Sequence, residues 1–399
     1  MTVQDNLENQ LDESLSKDIA AVINRERSVF DEQAAPFGQS LVLFGAGTLG
    51  RKALAGLQKI GIKPLAFADT NPTLWNTSIE GLTVFSPSEA ANLFGKDAAF
   101  VVTIWSPGFR FFFLKQQLLN MGCLTIISFV HLFQKYPDIF LPHVCIDLPH
   151  KIHDQTEEVK KAMSLMADHN SRVEFLSQLK WLLDPIDMSG DFPIQVSGQK
   201  DLPTDLFSFS SDEVFIDCGA YNGDTIKSFI EYSGSSFRSI LAMEPDPQNF
   251  KHLESFFSIL PENEKRRMQI RQVAVGATND VMRFSAMGTV GSSLDPSGSI
   301  KVDVIKLDDI IRDGIVPTFI KMDIEGAEID ALLGGKNIIG RTSPILSVCV
   351  YHRQDHLWKI PLLIQTLSKD YKFYLRRYTD EFWDLVCFCI PASRAKISI

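Results

Sequence analysis

The chain has 399 residues, of which 45% are hydrophobic, and carries a formal net charge of -10. That length exceeds one ordinary domain, and that hydrophobic share excludes global disorder. The acidic balance argues against a general nucleic-acid binder, which needs a basic face to displace counterions.

The first segment, to about Ala35, is polar, acidic and periodic: Leu7, Leu11, Leu15, Ile19, Val22 and Ile23 recur at helical spacing, which predicts one amphipathic helical arm over 1–36. No cationic region precedes an apolar run, so no signal peptide is expected. Between about 37 and 130, strand-like and helix-like runs alternate: "LVLFGAG", "RKALAGLQKIG", "KPLAFADT", "SPSEAANLFG", "AAFVVTIW", "FRFFFLKQQLLNMG", "CLTIISF". Alternation of this kind predicts parallel strands joined by crossover helices, a Rossmann-like nucleotide-binding domain. The run "RFFFLKQQLL" is too short to span a bilayer and is expected to be a buried helix face.

From 131 to about 205 the pattern changes to long helical stretches and a loop-like "DPIDMSGDFPIQVSGQKDLPTD", expected as a helical connector. Within it, His143, Cys145, Asp147, His150 and His153 lie close in sequence but match no strong zinc spacing. A second alternating run fills 206–399, interrupted by a β-rich stretch and closed by "FYLRRYT" and "LVCFCIP", a predicted antiparallel pair. The fold class is α/β, with two doubly wound Rossmann-like domains. The six cysteines show no paired metal spacing; with no signal peptide, free thiols and a cytoplasmic location are expected.

Two strand–turn–helix corners differ in charge. "LVLFGAGTLGRK" supplies Gly45, Gly47 and Gly50 in dinucleotide spacing, with Asp69 at the end of the next strand, and Arg51 and Lys52 would welcome a phosphate. This corner suits NAD, a sugar nucleotide, or no ligand at all. "VFIDCGAYNGDT" instead frames its glycines with Asp217 and Asp224, which would repel a pyrophosphate. Those carboxylates suit a ligand with positive charge and no phosphate. S-adenosylmethionine fits, and Glu244, ending the following strand, is placed for ribose hydroxyls.

The ordered set "FIDCGAYNGDT", "AMEPDPQNF", "VAVG", "IKLDDI" and "FIKMDIEGAEIDALLGG" resembles the S-adenosylmethionine-dependent methyltransferases of the FkbM type. The resemblance covers roughly the last half of the chain. It implies a class I methyltransferase fold with an antiparallel end strand, and methyl transfer to a hydroxyl of a small molecule such as a sugar or secondary metabolite. Asp217, Gly219, Ala220, Gly223, Asp224 and Glu244 would hold the cofactor, and Ala274 and Val275 would lie against the adenine at the third strand end. The extra amino-terminal domain stands outside this pattern.

"MDIEGAE" places Asp323, Glu325 and Glu328 just past an apolar strand, where acids are costly unless bonded or functional. Methyl transfer to a hydroxyl needs an aligned acceptor and a group that takes its proton. Asp323 is the first candidate for that role, with Glu325 beside it. His352, after the next strand, is the second candidate base. Glu328 is expected to face along its helix as a first-turn acid. Hard oxygen ligands at Asp323 and Glu325 suit magnesium, but the motif is not diagnostic and no metal is expected. The Gly/Ser-rich "GTVGSSLDPSGS" reads as a hairpin loop or a lid.

Competing readings are an NAD-dependent oxidoreductase using Gly45, Gly47, Gly50 and Asp69, and a non-catalytic nucleotide-binding scaffold. The expected partner is a small-molecule hydroxyl acceptor, with neither membrane nor nucleic acid. The acidic amino-terminal helix offers a surface for a homo-oligomer and equally one for packing on its own domain.

Overall fold

The computed structural model describes residues 3–106, 108–184, 200, 202–286, 293–294, 298–379 and 383–396. The chain divides into two units: Met1–Thr156 with Ser177–Pro193, and Glu157–Leu176 with Ile194–Ile399. The stretch 131–205, expected as one connector, is thus shared between them, and its loop 185–199 lies outside the described residues.

In the first unit, fully apolar tetrads form strands because both of their faces are covered. The strands are β1 (Leu41–Phe44), β2 (Ala66–Ala68), β3 (Ser78–Ile79), β4 (Leu82–Phe85), β5 (Ala99–Val102) and β6 (Thr125–Ser128). They form a sheet in the order β3-β4-β2-β1-β5-β6, parallel except for the β3–β4 hairpin. Strand order reverses at β1, as in doubly wound sheets. The amino-terminal arm is two helices, Val3–Leu15 and Ile19–Ala34. Asp18 breaks it by accepting the Ala20 N–H and capping the second helix. The helix Phe111–Asn120 does not bury its aromatic face: Phe112 and Phe113 are 43% and 56% exposed, and only Leu118 is fully buried.

The second unit builds a seven-stranded sheet from β7 (Val214–Cys218), β8 (Ser239–Met243), β9 (Met268–Arg271), β14 (Phe319–Met322), β15 (Ile345–Cys349), β16 (Tyr371–Arg377) and β17 (Leu385–Pro391). Their order is β16-β17-β15-β14-β7-β8-β9. β17 runs antiparallel to both neighbours and leaves β16 at the edge. Phe215 of β7 stacks on Phe319 of β14 at 4.8 Å, which locks the start of the central pair. A small second sheet, β10-β13-β11-β12, is formed by β10 (Ala274–Val275), β11 (Asp280–Ser285), β12 (Ser293–Leu294) and β13 (Ile300–Ile305). The edge strand β16 is held by ion pairs from 157–176: Asp168 to Arg376 at 2.7 Å and Glu174 to Arg377 at 2.8 Å.

Among the described residues, no helix is long and apolar enough to cross a membrane. The six cysteines are buried and unbridged. The lid assigned to 288–299 lies largely outside the described residues.

Candidate active site

β7 ends in a turn that only glycine can make at its first position. Gly219 has φ +81, and a Cβ there would stand 2.0 Å from the Asp323 carbonyl oxygen. The ends of β7 and β14 therefore lie close, with the Asp323 N–H donating to Cys218 O at 3.1 Å. The Gly219 and Ala220 N–H groups both donate to Met243 O, at 2.9 and 3.0 Å, which ties in the end of β8. Gly223, at φ +89, starts the helix Asp224–Ser233 and packs where a Cβ would strike Phe256.

Glu244 lies at the next strand end, 5% exposed. Its Oε2 accepts the Tyr221 N–H and its Oε1 the Asp246 N–H, both at 2.9 Å. Burial raises its carboxyl pKa, opposed by these two backbone donors. Each carboxylate oxygen has a second lone pair, so Glu244 keeps capacity for ligand hydroxyls.

A cavity of about 320 Å³ opens over these strand ends. That is within the usual range for small-ligand sites. Its lining includes Gly219, Asp224, Glu244, Asp323 and Glu325. Ala274 and Val275 also line it, but from β10 of the small sheet rather than from the third strand of the main one. That third strand is β9, which stops at Arg271.

Asp217 differs from its expected placement. It is fully buried, and in the parallel ladder it sits in register with Lys321 of β14. The Lys321 ammonium lies 3.0 Å from Asp217 Oδ1 and donates to Gly219 O at 2.6 Å. Lys321 lines the cavity and Asp217 is not among its lining residues, so the charge below the turn is that of a neutralised pair.

Carboxylates gather around one imidazole. Glu328, expected to face along its helix, is instead fully buried, and His352 Nδ1 lies 2.8 Å from its Oε1. Glu328 Oε1 also accepts the Ile324 N–H at 3.0 Å, and His356 Nδ1 lies 3.3 Å from Oε2. The other ring nitrogen, His352 Nε2, lies 3.3 Å from Asp323 Oδ1 and 3.7 Å from Glu325 Oε2. Glu325 occupies a left-handed conformation at φ +54, just before Gly326 at φ +102.

Burial disfavours the imidazolium, but Glu328, Glu325 and Asp323 outweigh it and raise His352 to about 9. Burial pushes the Glu325 carboxyl up to about 7. Burial also works against charge on Asp323, yet Lys200, Lys321 and His352 hold its carboxyl below the ordinary range.

Reading the sequence missed three groups around Asp323 and Asp217. Lys321 looked like part of an apolar strand. Lys200 comes from the loop before β7 and bridges Asp323 at 3.0 Å and Asp384 at 2.5 Å. Tyr351, next to His352 in the chain, sets its hydroxyl 3.5 Å from Asp323 Oδ1. The lysine in "FIKMD" was the available signal, since a cation inside a buried strand needs an anion.

At the first corner, Asp69 Oδ2 accepts the Ala46 N–H at 2.7 Å, while its Oδ1 accepts the Asn71 N–H at 2.8 Å. Gly50 packs against Gly45, where a Cβ would stand 1.9 Å from the carbonyl oxygen, whereas nothing lies within 4 Å of a Cβ at Gly47. Lys52 turns to His143, 3.1 Å away. His150 pairs with Glu26, so the histidines of 143–153 have separate partners and do not converge.

A parallel sheet with one antiparallel strand next to its edge, and a glycine corner backed by an acid on the second strand, has the architecture of a methyltransferase fold. Residues 217–382 match the family model of the methyltransferase FkbM domain. Among solved structures, a methyltransferase FkbM from Methylobacillus flagellatus KT superposes with a TM-score of 0.74. It is 22% identical, over 97% of this chain and 99% of that one, a likeness of fold. A precorrin-6y C5,15-methyltransferase from Geobacter metallireducens GS-15 reaches 0.27, at 14% identity over 48% of this chain and 82% of that one. No curated protein matches the sequence.

Proposed function

We propose that the second unit transfers the methyl group of S-adenosylmethionine to a hydroxyl of a small molecule, of the sugar or secondary-metabolite class. The observation that carries this reading is one cavity lined by two chemically different sets of groups. Glu244, fixed by two backbone donors, lines it together with the Gly219 turn, and so do Asp323 and Glu325, backed by His352.

The residues fit the cofactor. Glu244 would accept the ribose hydroxyls, Gly219 and Ala220 would bring backbone against the methionine portion, and Ala274 and Val275 would give the adenine an apolar wall. Asp224 supplies a carboxylate near the helix start. Asp217 acts through Lys321, by holding the turn. The cofactor supplies an activated methyl on a positively charged sulfur. An acceptor hydroxyl attacking that methyl would have to give up its proton, and the carboxylate cluster stands where it would be taken up. Asp323 would orient that hydroxyl, and Glu325, its carboxyl pushed up to about 7 by burial, would provide the place for its proton.

Supplying purified protein with labelled S-adenosylmethionine and a panel of hydroxyl, amine and carboxyl acceptors tests the reading. Label should move to hydroxyl compounds and not to the amine series; transfer confined to amines would refute the hydroxyl assignment. For the amino-terminal unit, the open space at Gly47 keeps a nucleotide or sugar nucleotide as the proposed ligand, and titrations with NAD and with a sugar nucleotide that show no saturation would remove it.

A further inference from the structure

We propose that Asp323, Glu325 and His352 form a site for one divalent cation, of the manganese type, at the wall of the cavity. One oxygen from each acid and His352 Nε2 all lie within 4.8 Å of one another. Cis ligands on an octahedral ion, at bond lengths of about 2.1 Å, lie roughly 3 Å apart. The distances of 3.3 and 3.7 Å from Nε2 to the two carboxylate oxygens are close to such edges and need only a small closure.

The imidazole supplies evidence independent of the acids. The His352 side chain is 2% exposed, and its Nε2 makes no hydrogen bond, although two carboxylates are near. A buried ring nitrogen in that condition is costly. A cation between it and the acids would satisfy it. The opposite nitrogen, Nδ1, is held by buried Glu328 at 2.8 Å. That is the outer-shell carboxylate that fixes the tautomer of a metal-binding histidine and presents Nε2 to the ion. Glu325 reaches the cluster from the left-handed backbone region, at φ +54, which non-glycine residues seldom adopt.

Two carboxylates favour hard ions and the imidazole favours borderline ones, so the mixed set selects manganese over magnesium or calcium. The three side chains fill one part of the coordination sphere, and Asp323 and Glu325 line the cavity, which leaves room for the acceptor oxygen. The role of holding that oxygen rests on the methyl-transfer reading; the cation site itself does not. Lys200, 3.0 Å from Asp323 Oδ2, is the built-in competitor for the same charge.

The full chain is titrated with Mn²⁺ and followed by electron paramagnetic resonance, and its spin echo is examined for nitrogen coupling. One Mn²⁺ per chain with imidazole nitrogen coupling is expected. In His352→Asn the coupling should vanish and affinity fall at least tenfold. In Lys200→Gln affinity should rise severalfold, a gain that a damaged fold cannot imitate. Absence of saturable binding to wild type, or binding without nitrogen coupling, overturns the site. S-adenosylmethionine is titrated into the same samples. Cofactor binding without Mn²⁺ binding would remove the cation site and leave the methyl-transfer reading standing; the reverse would do the opposite.

Discussion

Substituting Lys321 by methionine removes the cation from the pair beneath the cofactor turn while keeping the length of the side chain. At the observed 3.0 Å and an effective dielectric of about 20, the attraction to Asp217 is about 5–6 kcal/mol before desolvation is subtracted. Asp217 is fully buried, so losing its cation leaves a buried charge uncompensated, and such losses run about 3–5 kcal/mol. Replacing both partners by apolar residues of similar shape, Asp217→Leu with Lys321→Met, should return stability to within about 2 kcal/mol of the natural chain. The readout is hydrogen exchange of the β7 and β14 amides in the full chain, which isolates this unit from the other. A single variant that costs under about 1 kcal/mol, or a double variant as damaged as the sum of the singles, would refute the assignment of Lys321 as the charge partner of Asp217.

Other expectations follow from the same contacts. Gly219→Ala places a Cβ 2.0 Å from the Asp323 carbonyl oxygen, so it should separate β7 from β14 and abolish cofactor binding in a chain that still folds its first unit; calorimetric titration that finds unchanged affinity would contradict the close approach. In the first unit, burial lowers His131 to about 4 and His143 to about 3. The unfolded chain takes up these protons from about pH 6.5 downward and the folded one does not, so stability is full above pH 6.5 and falls as the pH drops toward 4. At pH 5 each histidine should cost about 2 kcal/mol, and His131→Gln should flatten the trend; an unfolding midpoint in urea that is unchanged between pH 7 and 5 would contradict it.

Much of this architecture was written locally in the chain. Fully apolar tetrads such as Leu41–Phe44 and Ala99–Val102 announce parallel strands through their own composition. Gly219 was legible for the same reason, because its turn is a property of neighbouring residues. What escaped depends on distant pairing. Lys321 meets Asp217 across 104 positions, and only the ladder register brings them together. Glu328 read as a solvated first-turn acid because nothing near it in sequence reveals that His352, 24 residues on, closes over it. Ala274 and Val275 read as the third strand because a short apolar run carries no sign of which sheet it joins. The break at Asp18 was missed because helical periodicity continues across it, while the cap is a single side chain.

On the proposed function, the cavity lined by Glu244 and Asp323 holds S-adenosylmethionine. Calorimetric titration of the full chain with S-adenosylmethionine, beside Glu244→Gln, tests it most directly. Saturable binding is predicted, weakened about tenfold to hundredfold in the variant, as expected for hydrogen bonds to a charged group worth about 1.5–3 kcal/mol. Binding that ignores the substitution, or no binding to the natural chain, would contradict the account.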